Sequence, residues 1–323
     1  FDLLGSGDTL FLYDGTSITA PIIGAYTGTT SPGIINSTGA SLTVRFKSNA
    51  SVVRPGFKAI WNCISDITSP TTLVNPIAGW ITQDFSSSYT DIDNSGGVGI
   101  EKSYYQPTYF NGTEWRANGL RGFFNDDFST SAISSDWTNA TGVWSNVTGA
   151  LNQTDEANSN TNLYATVTQS LSNAYLYNFK GTISGTGTNR RGGIHIFSDS
   201  PSLTNRGNSY LIWMRPDNGT IELYETISNV LYVVKTVTYT VLPNTVYDYK
   251  ISYDKTSGEV KLWINDVFVS SWIDASPLTS ATGVSFRSGN SKFIVDDFKV
   301  FRSRGTTSTI LVRSATTNDL LKE

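Results

Sequence analysis

One cysteine, one histidine and a charged fraction of 15% are all that 323 residues offer to several kinds of chemistry. With Cys63 alone no internal disulfide forms, so a hydrophobic core has to hold the fold, and the thiol is either free or paired with sequence upstream. With His195 as the sole imidazole, no zinc cluster of Cys and His ligands assembles. A net charge of -4 lacks the basic excess that a nucleic-acid backbone demands, which argues against a nucleic-acid partner. No apolar run reaches about 18 residues, so nothing reads as a membrane-spanning helix, and no charged-then-apolar leader stands at the start. Helical amphipathicity is missing too: "LYVVKTVTYTV" is so rich in Val and Thr that a helix would cost it side-chain freedom.

Ser, Thr, Asn and Gly dominate instead, and they build strands, turns and hydroxyl-rich surfaces. Short alternating runs bounded by turn residues recur along the chain, among them "TLFLYDG", "SLTVRFKS", "GGIHIFSD", "SYLIWMR", "IELYETI", "EVKLWIND" and "FIVDDFKVF". The class is all-β, in sandwiches or jelly rolls. A strand-rich block covers 1–64 and closes on the Pro- and Thr-rich "CISDITSPTTLVNP"; an aromatic, loop-rich connecting segment follows over 65–122. A large domain covers 123–304, and 305–323 opens a further module or linker. The chain begins at Phe1 midway through the pattern of its first block and stops abruptly at Glu323, so more sequence is expected on both sides. Seven glycosylation sequons occur, at Asn36, Asn49, Asn111, Asn139, Asn146, Asn152 and Asn218, in a sequence whose Asn and Thr content also generates them by chance.

In the first block Leu10, Leu12, Leu42, Val44 and Phe46 alternate as one buried face, and Asp14-Gly15 supplies a turn. The four motifs "GDTLFLYDG", "IGAYTG", "IINSTGASLTVRFKSN" and "RPGFKAIWNC" resemble, in order, the C-terminal half of a CUB domain, an extracellular β-sandwich used for protein and carbohydrate contacts. The resemblance implies calcium as a structural ion, with Asp8 as one oxygen ligand; the residue alone reads as an Asp that opens a strand after a turn. It departs from the family at Asn49, where a second carboxylate is expected.

The large domain, from "FFNDDFS" through "GVWSNVTGALNQ" and "GEVKLWINDVFVSSW" to "VDDFKVF", resembles the concanavalin-A-like or laminin-G-like jelly roll of bacterial extracellular proteins. In that fold the first and last strands pair, which would bring Asp126 and Asp127 near Asp296 and Asp297 as a second possible calcium site, or leave them as outward carboxylates beside an inward Phe. Enzymes share the scaffold, so catalysis is judged from site chemistry. Glycoside hydrolysis uses two carboxylates about 5–9.5 Å apart. Glu222 and Glu225, three apart in one strand, point to opposite faces, Glu259 stands alone in a turn, and His195 has no Ser nucleophile motif beside it, so a half-buried structural histidine is expected. No catalytic residue is assigned. For sugar binding, flat aromatic faces and planar hydrogen-bonding groups are available in Trp213, Arg215, Trp263, Trp272, Arg190, Arg191 and Tyr210, any of which is also ordinary core or surface. In the connecting segment, "GTEWRAN" with Glu114, Trp115 and Arg116 reads as a packing anchor rather than a ligand loop.

The function these features imply is non-catalytic binding or adhesion outside the cell, toward glycans or a surface protein. Two alternatives are the targeting tail of a secreted peptidase, glycosidase or peptidoglycan amidase, and a structural spacer of a large adhesin or filament.

Overall fold

The computed structural model describes residues 1–5, 7–39, 41–50, 52–62, 70–75, 83–94, 99–170, 173–305, 307–312 and, as backbone, 320–322. Cys63 lies outside them. Strands and turns account for nearly all of the described chain, with two three-residue 3-10 turns as its helical content. The chain divides into two units, 1–75 with 88–101, and 76–87 with 102–323.

The first unit is built on a three-stranded antiparallel sheet with Thr9–Asp14 between Ile22–Tyr26 and Leu42–Lys47. Leu10 and Leu12 are buried with Leu3 beneath Phe1, Ile23, Tyr26, Ile35 and Phe57, as the alternation requires. The same alternation fails for the edge strand. Leu42, Val44 and Phe46 remain 40%, 41% and 46% exposed, although Val44 and Phe46 lie directly opposite Leu12 and Leu10. Period two fixes which side of the sheet a residue shares, but not whether another layer covers it.

The second unit is a two-layer antiparallel sandwich. One layer has seven strands in the order Trp137–Thr141, Asn162–Gln169, Ala281–Gly289, Arg191–Ser198, Ser209–Arg215, Thr220–Ile227 and Val230–Thr238. The other has nine: Trp144–Val147, Ala150–Gln153, Lys292–Ser303, Ala174–Ser184, Tyr247–Asp254, Glu259–Ile264 and Val267–Ile273 in sequence across the sheet, with Tyr104–Tyr105 and Phe124–Asp126 also paired to the long strand Lys292–Ser303. The chain passes back and forth between layers, lays down a four-strand meander in the seven-stranded layer and a three-strand one in the other, and ends with one further strand in each, as in a jelly roll. Two hairpins close on two-residue loops, Ser228-Asn229 and Asn265-Asp266, with positive φ at both residues, the geometry that matches strand twist. The connecting segment from Lys102 is therefore continuous with the sandwich, because Tyr104–Tyr105 adds to its sheet.

Between the layers Phe128, Phe179, Phe197, Phe286, Phe293 and Phe298 are fully enclosed together with Leu163, Ile194, Ile212 and Val284. Burying each Phe stabilises the fold by roughly 1.5–3 kcal/mol relative to exposure. The expected pairing of the two "DDF" segments is present, with Phe298 opposite Asp126 and Val300 opposite Phe124.

Candidate functional site

The outward side of the seven-stranded layer carries the polar constellation. In the Ser209–Arg215 strand, Tyr210, Ile212 and Met214 point into the core. Leu211, Trp213 and Arg215 consequently take the other side. Strand register then lines up Arg287, Gly193, Trp213 and Glu222 in one row across four strands. The adjacent row holds Ser285, His195, Leu211 and Tyr224. On the opposite flank, Arg191 precedes the Gly192–Met214 pair and Arg215 follows it, so the two guanidinium groups neighbour each other.

Gly193 explains the shape of the row. A methyl group there would meet the Ile212 carbonyl oxygen at 2.0 Å and the Trp213 ring at 3.1 Å, so only glycine fits. With no side chain between them, Arg287 reaches across the strand and lies over Trp213, its guanidinium carbon 5.2 Å from the ring centre. Gly193→Ala is accordingly expected to destabilise the second unit by about 1–3 kcal/mol, the usual cost of an overpacked site, measurable by urea unfolding. An unchanged midpoint would contradict this packing.

Glu222 is held by Arg215 and by the Tyr224 hydroxyl, both in short hydrogen bonds, while Arg215 reaches Asn189 at 3.5 Å. Burial and the Glu222 carboxylate push the Tyr224 hydroxyl up to about 12, so it stays a donor. Arg287 is 9% exposed, its Nε finds no hydrogen-bond partner among the described residues, and its Nη1 reaches only Asn205, at 3.4 Å. Burial, then the nearby Arg191, brings its pKa down to about 10, so it remains charged at neutral pH. Arg191, half-buried, is also held below the ordinary arginine range, first by desolvation and then by Arg215.

One end of this face is roofed by the 199–208 loop. Its Arg206 is enclosed and donates to the Ser285 hydroxyl at 3.0 Å, to Asn160 at 2.7 Å and to the Thr204 and Thr161 carbonyls. Beneath it, His195 is fully buried rather than half-buried, with Nδ1 3.0 Å from the Ser209 hydroxyl. Burial, then Arg206 and Arg287, push its pKa well below that of a free imidazole, so the ring is neutral at pH 7. The unfolded residue binds a proton more readily. Stability present above about pH 6.5 is therefore expected to fall with acidification by up to about 1.4 kcal/mol per pH unit, before most carboxylates titrate. Denaturant unfolding between pH 7 and 5 checks this, and His195→Gln should abolish the slope; the same slope in the variant would contradict it.

The other expected ligand residues disperse. Arg190 is engaged by Asp217 through Nε and Nη2 and donates to the Gly185 carbonyl. Tyr210 is core, with its hydroxyl donating to Asp274 at 2.7 Å. Trp272 packs between the layers against Tyr210. Trp263 sits beside Phe268 on the outward side of the nine-stranded layer. Arg287, Glu222 and Tyr224 complete the cluster without having been expected as ligand residues. Their signal lay in cross-strand register with "RRGG", not in any local motif.

The carboxylates expected to hold calcium are engaged by the chain itself. Asp126 is buried, accepting from the Trp137 indole at 2.9 Å and the Phe128 amide, with Arg116 at 3.3 Å. Asp127 accepts from the Ser129 amide. A positive φ at Asp297, beside an irregular step in the ladder, sets its carboxylate against Lys180 and Lys299, which hold it below the usual range. Asp296 is raised, chiefly by burial. Asp8 accepts from the Asn49 amide at 3.2 Å. Among the described residues no group of three or more His, Cys, Asp or Glu side chains is placed to hold a metal. In the connecting segment Trp115 packs on Phe110, and Arg116 is buried between Glu114 and Asp126.

Glu225 and Asp274 are neighbouring acids. Asp274 is buried, accepting from Tyr210 and the Ser276 amide, and Glu225 is held above the usual carboxylate range by burial and by Asp274. Glu222 lies away from them in the Trp213 row, as the three-residue spacing predicts.

Residues 3–61 match the CUB domain family. A 53-residue segment is 51% identical to Tolloid-like protein 2 of Mus musculus, covering 16% of this chain and 5% of that relative's length. Among solved structures, the carbohydrate binding module CBM66 from Bacillus subtilis aligns at 14% identity and TM-score 0.44, over 52% of this chain and 97% of its own. A Bacillus subtilis protein of unknown function with a galectin-like fold aligns at 13% and 0.45, over 62% and 99%. The Caenorhabditis elegans galectin LEC-6 aligns at 14% and 0.34, over 42% and 88%.

Proposed function

We propose that the second unit is a non-catalytic glycan-binding module whose ligand lies on the outward side of the seven-stranded layer, across Trp213, Arg191, Arg215, Arg287 and Tyr224. The observation that carries this is the row Arg287–Gly193–Trp213–Glu222, which sets an indole between hydrogen-bonding groups whose geometry is fixed by strand register and by neighbouring side chains. Sugars are recognised by such pairings of aromatic surface with planar, bidentate donors. Anchoring on strands holds these groups more rigidly than loops would.

Non-catalytic fits the placement of the acids. Glu222 is spent on Arg215 and Tyr224, while Asp274, beside Glu225, is turned onto Tyr210. The CUB match over residues 3–61 supports an extracellular setting, and no helix among the described residues is long and apolar enough to cross a membrane.

Screening the full chain against an array of extracellular and cell-wall polysaccharides tests the reading. Binding of a saccharide without release of reducing ends is expected. Silence across the array, or hydrolysis abolished by Asp274→Asn, would overturn it.

A further inference from the structure

Resting on that reading, we infer that the module selects acidic saccharides, with an oxyanion substituent, carboxylate or sulfate, seated between Arg191, Arg215 and Arg287. The balance of charge on this face is the ground for it. Arg191, Arg215 and Arg287 neighbour the carboxylate of Glu222, and that carboxylate is already held by Arg215 and Tyr224. Neither Arg191 nor Arg287 has an acid within ion-pair distance among the described residues.

A nine-tenths buried guanidinium with an unpartnered Nε is costly to keep. Its stacking on Trp213 offsets part of that cost without satisfying the N–H group. Arg206 shows the contrast. It is still more deeply buried, yet its Nε, Nη1 and Nη2 all meet oxygen acceptors of the chain. Arg206 is thus a structural arginine, whereas Arg287 lacks the acceptor that an oxyanion would supply. Burial first, and then the neighbouring arginine, holds the pKa of Arg191 and of Arg287 below the ordinary range.

Guanidinium groups take carboxylate and sulfate oxygens in paired hydrogen bonds, and in a half-buried site these resist salt better than exposed contacts do. A neutral sugar would leave the excess charge uncompensated. The nearby Arg190, neutralised by Asp217, adds nothing to it.

The test uses the full chain and pairs of polymers that differ only in charge: polygalacturonate against its methyl ester, and dextran sulfate against dextran. Isothermal titration is expected to show a charged member bound at least about tenfold more tightly than its neutral counterpart, and the preferred pair separates carboxylate from sulfate as the substituent. Arg191→Ala, at a partly buried position outside the core between the layers, should erase that preference. Lys250→Ala, on the other layer and paired with Asp266, should leave it intact. Equal binding of the neutral and charged members would overturn the acidic selectivity while leaving the glycan reading standing. A preference lost equally in Lys250→Ala would reduce it to general charge attraction and overturn the site. Binding of none of the four, when a polysaccharide array is also silent, removes both.

Discussion

Asp126→Ala should lower the stability of the second unit by about 3–5 kcal/mol, the loss that follows when one partner of a buried ion pair is removed. The carboxylate is 2% exposed and serves three groups at once: the Arg116 guanidinium, itself 4% exposed, the Trp137 indole N–H and the Phe128 amide. Trp137 in turn packs on Phe124, Phe128, Phe286 and Phe298, so the acid fixes an aromatic cluster that joins the two layers. Arg116 keeps Glu114 at 3.0 Å, which places the loss toward the lower end of that range. For a unit of this size, about 3 kcal/mol corresponds to a fall of roughly 6–12 °C in Tm. Urea unfolding followed by tryptophan emission measures it, and a change under about 1 kcal/mol would show that Asp126 is a surface carboxylate in solution. Added calcium should not restore the variant, because the acid acts through protein donors.

Trp213→Ala carries the second large expectation, a loss of glycan affinity of about 30-fold or more, equivalent to roughly 2 kcal/mol, as for truncation of a central aromatic contact. The ring is 5% exposed beneath Arg287 and holds that side chain in place, so its removal frees the guanidinium as well as deleting apolar contact. Trp213 stands outside the aromatic cluster between the layers but is itself buried, so its loss is expected to cost stability as well, and affinity is compared on variant protein that retains its β circular-dichroism spectrum. Trp213→Phe should retain part of the affinity. Full affinity in the alanine variant would move the binding surface elsewhere on the molecule.

Much of the fold can be read from residue order. Alternation marks the strands, and the two "DDF" motifs meet as expected. Period two also separates Tyr210 from Trp213, three apart in one strand, into core and outward residues. It could not separate Trp213 from Trp263, which alternate equally well but lie on outward sides of different layers. Which strand neighbours which is a long-range fact. Arg287 in "SFRSG" looks like any polar strand residue until register sets it opposite Gly193, 94 positions earlier, and thereby over Trp213. The same limit applies to Asp126 and Asp297, whose partners Arg116, Trp137 and Lys180 come from other strands.

Amide hydrogen exchange of the full chain, with and without the saccharide that binds it, locates the ligand directly. Protection is predicted in Arg191–Ser198, Ser209–Arg215 and Ala281–Gly289, the three strands that supply Arg191, Trp213, Arg215 and Arg287. Protection confined to Glu259–Ile264 on the other layer, or to residues 3–61, would contradict the account.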